Sequence, residues 1–275
     1  MRIIKLTTLT VLLITMISCA SPVDSSNNPT DNNTNPYNIQ STHVSLGVPF
    51  DTDTTDDYLI VRSQYVLSYN KVLNIPNWVS WELNSDWFGD VDRYSGNFIT
   101  DTTLPIGFYR VKHSDYTNSG YDRGHLVRSE ERTKTIEDNK STFILTNIIP
   151  QTPDLNRGVW LNLEYHCEDL CKKDNKLLYV IAGGINRTKN TIGNQIVVPD
   201  SCFKIVVVLE KGQTLLDVNE STQIISVVMP NIEGVRSDKW EKYRTSIRAI
   251  ENSTGYNFLD KLPINIQNII EQRVN

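Results

Sequence analysis

The chain has 275 residues, 39% of them hydrophobic and 21% charged. That balance excludes a wholly disordered or fibrous protein and allows one large cored domain or two small ones. Its 27 basic and 32 acidic side chains leave a net charge of −5. Taken alone, that charge weighs against nucleic acid as a partner, since such a partner usually goes with a basic surface.

Residues 1–19 have the pattern of an export signal. Arg2 and Lys5 form a positive start, and Leu9 to Ile17 is an apolar stretch too short to cross a bilayer as a mature helix. The junction Ser18-Cys19-Ala20 is similar to a bacterial lipoprotein cleavage box, with Met16 where Leu is usual. On that pattern Cys19 becomes a lipidated N-terminus and the protein is anchored to the cell envelope. Ordinary cleavage near Ala20, giving a periplasmic or secreted protein, and a retained anchor are the alternatives. Residues 20–50 are expected to be a flexible tether, because the Asn, Ser, Thr, Pro and Asp that dominate residues 20–42 bury too little surface to offset their ordering entropy. Residues 51–275 are then the folded domain.

Within it, Arg62–Tyr69 and Trp78–Leu83 alternate polar and apolar residues around a turn-like Asn70–Pro76, which predicts an antiparallel pair. A loop-rich stretch, Asn84–Ser119, follows. Short strands are predicted over Asp122–Val127 and Phe143–Ile149. Trp160, Leu163, Cys167 and Leu170 predict an amphipathic helix over Leu155–Lys173, with Asp154 as N-cap. Three more strands are predicted, Leu177–Ala182 (closed by Gly183-Gly184), Phe203–Leu209 and Ile224–Met229. Helices are predicted over Trp240–Ile250 and over Ile264–Val274, the last opened by Pro263. Hairpins and helices do not alternate regularly, so the fold class is α+β. Of the remaining cysteines, Cys167 and Cys171 lie awkwardly for a bridge on one helix, so Cys202 is expected to pair with one of them. With no C-x-x-C and no H-E-x-x-H, a zinc site is poorly supported.

The chemistry concentrates in one region. His125 ends Asp122-Arg123-Gly124-His125, and Asn147, Pro150, Gln151, Asn156, Trp160, Leu163 and Glu164 follow in order. An imidazole at a strand end can take a proton at neutral pH, and the glycine beside it lets a ligand approach the backbone. At about 100° per residue, Glu164 falls roughly 80° around a helix from Asn156 and two turns on, so the two can flank one site with room for water. Ligation by an amide oxygen and a carboxylate acting through water suits Mg²⁺ or Mn²⁺.

This constellation resembles the DNA/RNA non-specific endonuclease family of the ββα-metal group, which includes endonuclease G, over roughly Tyr58 to the C-terminus. Arg93, Phe98, Asp101 and Pro105 upstream and Val198-Pro199 and Lys204 downstream also fit the family pattern. The resemblance implies a mainly antiparallel central sheet with flanking helices. It implies a hydrolase that cuts single- and double-stranded DNA and RNA with little sequence or sugar preference and leaves 5′-phosphates. By the same resemblance, His125 is the general base, Asn156 the direct ligand of one divalent cation and Glu164 a ligand through water. Arg93 contacts the scissile phosphate. Asp122 and Arg123 shape the motif and orient the His or a phosphate, Asn147 and Gln151 are orienting groups around the His and the metal waters, and Arg128 and Arg157 supply substrate contacts. A protein inhibitor is a further implied partner. Family members often carry a basic residue one turn after the motif glutamate; here it is Glu168, which implies weaker or more salt-sensitive substrate binding. Arg157, Lys172 and Lys173 are the nearby cations left to take its place, and Arg132 adds cationic reach. Residues 110–134 hold six basic and four acidic side chains, so a locally cationic cleft is expected on an acidic body. A catalytically lapsed relative that only binds nucleic acid or an envelope partner, and a phosphodiesterase for other substrates, are the competing readings.

Overall fold

In the computed structural model, residues 35–188, 190–193 and 195–274 are described. The export signal, Cys19 and the first part of the tether lie outside them. Among the described residues ten strands form in chain order: β1 (Tyr58–Val61), β2 (Val66–Asn70), β3 (Ile75–Leu83), β4 (Asp122–His125), β5 (Ile148–Gln151), β6 (Lys176–Ile185), β7 (Thr191–Ile192), β8 (Ile196–Val197), β9 (Ser201–Glu210) and β10 (Gln223–Pro230). Four α-helices accompany them: α1 (Ile136–Ser141), α2 (Trp160–Lys172), α3 (Ile247–Thr254) and α4 (Ile264–Ile270). Six strands make the central sheet in the order β1-β2-β3-β6-β9-β10, every neighbouring pair antiparallel. The fold is the expected α+β class.

Side-chain alternation explains the two layers of core. Leu178, Val180 and Ala182 of β6, with Val206 and Val208 of β9, face a cluster that includes Leu163, Cys167 and Leu170 of α2 and Ile148 and Ile149 of β5. Their neighbours Leu177, Tyr179, Ile181, Ile205 and Val207 face the opposite cluster, with Ile247 and Ile250 of α3 and Ile270 of α4. Both faces are covered, so β6 and β9 read as continuous apolar runs rather than as alternating strands.

Several boundaries differ from expectation. β1 was not foreseen, and Arg62–Tyr65 is the turn between β1 and β2, closed by the Arg62 N–H donating to the Tyr65 carbonyl at 2.9 Å. Gly183 and Gly184 do not end β6. They lie inside it because a Cβ at Gly183 would meet the Asn77 carbonyl and the Phe203 ring. Phe143–Ile149 is not one strand: a 3₁₀ turn at Leu145–Asn147 precedes β5. Asp154 does not cap a helix; its carboxylate accepts from the Gly234 N–H and Arg236. Trp240–Ile250 splits into a 3₁₀ turn, Trp240–Tyr243, and α3, which Ser246 caps and Gly255 ends in the left-handed region.

The expected tether is too long at its C-terminal end. Val44, Leu46, Val48 and Phe50 are buried, and Asn35 donates to the Val48 carbonyl and to Asp260, both at 2.9 Å. Four apolar side chains at i, i+2 spacing provide the buried area that the polar residues before them lack. The predicted disulfide is absent: Cys167, Cys171 and Cys202 are free and buried. Burial pushes the thiols of Cys167 and Cys202 up to about 12, which makes them poor nucleophiles.

Candidate active site

β4 and β5 form an antiparallel ribbon in which Asp122 faces Gln151 and His125 faces Ile148. The chain then passes through a π turn, Leu155–Val159, into α2. The result is a strand–strand–helix unit with the DRGH motif on its first strand. A Cβ at Gly124 would collide with the Gln151 side chain. The glycine therefore makes room for Gln151, not for a ligand as expected. Gln151 donates to the Cys202 sulfur at 3.5 Å, and its Oε1 is buried without a hydrogen bond.

The His125 ring stands edge-on to Phe143 (4.9 Å between centroids) and beside Phe98 (5.2 Å). Its Nε2 is buried and has no hydrogen-bond partner. Desolvation, then the positive charges of Arg93 and Arg128, lower its pKa to about 3, so the imidazole is neutral at pH 7 and can accept a proton. His113 instead spends Nδ1 on the Phe98 N–H at 3.1 Å, and His166 packs against Trp240 at 5.1 Å. His43 accepts the Glu82 N–H at Nδ1 (3.0 Å) and donates from Nε2 to the Ser63 carbonyl (2.9 Å). These bonds fix a neutral tautomer, and desolvation lowers its pKa to about 4.

Asn156 lies in the π turn. Gly158, with φ −123° and ψ −109°, breaks regular geometry between it and α2, so the 100°-per-residue construction does not apply. Asp122 does the positioning instead. Its Oδ2 accepts from Asn156 Nδ2 at 2.9 Å, and Arg157 donates to both its oxygens at 2.7 and 2.5 Å. Asn156 Oδ1 accepts no hydrogen bond from the described residues. Glu164 is only 5% exposed, and the side chains of Lys204 and Trp160 bear on its carboxylate. Its neighbours are Arg128 Nε, 3.7 Å from Oε2, and Lys204 Nζ, 3.6 Å from Oε1. An open amide oxygen and a cation-flanked carboxylate are a donor set that fits a hard divalent ion with part of its hydration retained.

The other expected site residues divide into two groups. Arg93 remains accessible, donates to Ser129 Oγ, and lies over the Phe143 ring at 4.8 Å. Arg128 lies over Tyr165 and donates to Glu168 at 2.7 Å. Arg123 turns to the His113 carbonyl (2.7 Å) and packs near Phe98 and Tyr116. Asn147 is fully buried and clasps the backbone after the motif, accepting from the Val127 N–H and donating to the Val127 and Thr142 carbonyls. Those two support the ribbon rather than face the cleft.

The expected cationic cleft is largely neutralised. Arg132 has no exposed surface and binds three backbone carbonyls, of Gln64, Glu131 and Glu82, so it offers no reach. Arg110 is bound to the Leu104 carbonyl. Arg157, Lys172 and Lys173 pair with Asp122, Glu168 and Asp169. Sequence reasoning assigned no role to Lys204 or Glu131, whose Oε2 accepts from Trp81 Nε1 at 2.9 Å. A lysine inside the apolar run Cys202–Val208 was the signal for the first.

The profile of the DNA/RNA non-specific endonuclease family matches residues 43–265. The chain is 44% identical over 240 residues to a nuclease of Nostoc sp., covering 86% of each. It is 28% identical to the mitochondrial endonuclease G of Homo sapiens, covering 73% of this chain and 69% of that one. Among solved structures, an endonuclease G bound to its inhibitor superposes with a TM-score of 0.70 at 27% identity, covering 81% of this chain and 91% of that one. A fold, an ordered motif and a family profile thus agree, and the chain belongs to the DNA/RNA non-specific endonucleases, divalent-metal-dependent hydrolases of phosphodiester bonds.

Proposed function

We propose that the β4–β5–α2 unit cleaves single- and double-stranded DNA and RNA with His125 as general base and one Mg²⁺ held by Asn156 directly and by Glu164 through water, Mn²⁺ being able to substitute. The observation that carries this reading is the buried Nε2 of His125, which lacks a partner while Arg93 and Arg128 bear on it electrostatically. A neutral imidazole so placed takes the proton of the attacking water. Desolvation is the main cause of the depressed imidazole basicity, and the two arginines add to it; a phosphodiester anion drawn in by Arg93 offsets their part, so basicity rises when substrate is bound. Arg93, supported on Phe143, meets the charge developing on the phosphoryl oxygens. A cation held there by Asn156 and Glu164 would supply Lewis-acid stabilisation of the same charge and of the leaving oxygen. Asp122 holds the Asn156 amide so that its oxygen, not its nitrogen, is presented.

Contacts of this kind go to backbone phosphate and carry no base information, in keeping with low sequence preference. Chelation followed by return of Mg²⁺ or Mn²⁺, with the ends of the products analysed, tests the reading. Cleavage of both DNA and RNA to 5′-phosphates only with the cation supports it; cleavage in chelator, or of one polymer alone, rejects it. A protein inhibitor that covers this cleft is a further expected partner, in line with the inhibitor-bound endonuclease G. For the N-terminus we propose lipid attachment at Cys19 and a site of action at the cell envelope. Palmitate label should be lost in Cys19→Ser; label that persists rejects the anchor.

A further inference from the structure

Lys204 is a buried charge of the central sheet. It sits in β9 between Ala182 of β6 and Val227 of β10, is 1% exposed, and occupies a face otherwise built from Val206, Val208 and Ala182. A buried ammonium is costly, and an apolar side chain of the same length would ordinarily be the more stable choice. Its surroundings hold it in one place. Nζ lies 4.2 Å from the centroid of the Trp160 ring and 5.8 Å from that of Trp81. Among the described residues, the one carboxylate within ion-pair distance is Glu164, at 3.6 Å.

We propose that Lys204 is a positioning residue, one that fixes the direction of the Glu164 carboxylate and so sets how tightly the site holds its divalent cation. Arg128 bears on Oε2 and Lys204 on Oε1, both beyond hydrogen-bond distance. The carboxylate is thus balanced between two charges. Arg128 cannot do this alone, because Glu168 and the Tyr165 ring already share it. Without Lys204, Glu164 is drawn toward Arg128 and withdraws an oxygen from the cation's water shell. The inference rests on the role given to Asn156 and Glu164 above.

The test is Mn²⁺ binding, followed by calorimetry or paramagnetic resonance on folded protein without substrate. Lys204→Met is expected to weaken Mn²⁺ binding about 10- to 100-fold, the range usual for loss of a group that orients a metal ligand. Lys204→Arg is expected to recover most of the affinity. In a Glu164→Gln background, Lys204→Met should cause no further loss. Should Lys204→Met fail to fold, Lys204→Gln decides between the same outcomes. Unchanged Mn²⁺ affinity in a folded variant, or an equal loss with and without Glu164, overturns the proposal. A native protein that binds no Mn²⁺ instead rejects the metal site itself.

Discussion

The two faces of the central sheet are built differently. The face under α3 and α4 is packed by Val44, Leu46, Val48, Ile205, Ile247, Ile250, Phe258 and Leu259. Both faces also bury charge: Glu251 and Glu271, paired with Arg248, beside α3 and α4, and Lys204, Glu131, Glu164 and Arg132 on the α2 side. Buried charge is a poor way to gain stability. Beside α3 and α4 the buried charge ties those two helices together through Arg248, whereas under α2 it surrounds Glu164 of the site, so the α2 face is organised for the site and the other for holding the chain together.

The comparison breaks most sharply if the faces are not separable by mutation. On the α2 side, His125→Ala should lower kcat by on the order of 10²–10⁴-fold with little change in melting temperature. On the other side, Ile250→Ala should cost about 2–5 kcal/mol of stability and leave kcat unchanged wherever the protein is folded. Denaturant melts beside single-turnover cleavage would show whether each effect stays on its own face.

A smaller effect concerns Arg128. Glu168 accepts from it at 2.7 Å and from Lys172 at 2.8 Å, occupying cations a phosphate could use. Glu168→Gln should therefore lower KM for DNA several-fold at constant kcat and steepen the decline of binding with salt, as one more phosphate contact implies. Identical KM and salt slope would place Glu168 outside the substrate path.

The smallest effect is on pH. His43 and His125 have folded pKa values lowered to about 4 and 3, below the ~6.5 of an unfolded histidine. Between these limits the unfolded chain binds more protons. Their contribution is full above about pH 6.5 and is lost as pH falls through 4 toward 3. His43→Gln should flatten that acid limb by about 1–3 kcal/mol, read from urea melts at pH 4.5 and 7.5.

How legible was this in the sequence? The ribbon and its helix were, because Asp122, His125, Asn147, Gln151, Asn156 and Glu164 lie within 43 positions of one another and keep their order. Arg128 and Arg132 could not be told apart: both follow His125 closely, yet one meets Glu164 and Glu168 while the other is buried against backbone carbonyls. Lys204 fits the family pattern and stands out as a charge in an apolar run, yet its role was not visible, since its partner is supplied by a helix 40 residues earlier. Gly158 hid the π turn, because a periodic pattern assumes an unbroken helix. The expected cationic patch failed for a related reason: composition counts charges, and pairing decides which of them a phosphate can meet.

The most direct test of the catalytic assignment is plasmid nicking and RNA cleavage by the native protein and His125→Ala, each with Mg²⁺ and with chelator. The account predicts cleavage of both polymers by the native protein with Mg²⁺ alone, and near silence from the variant in either condition. Full activity in His125→Ala, or cleavage that survives chelation, would contradict it.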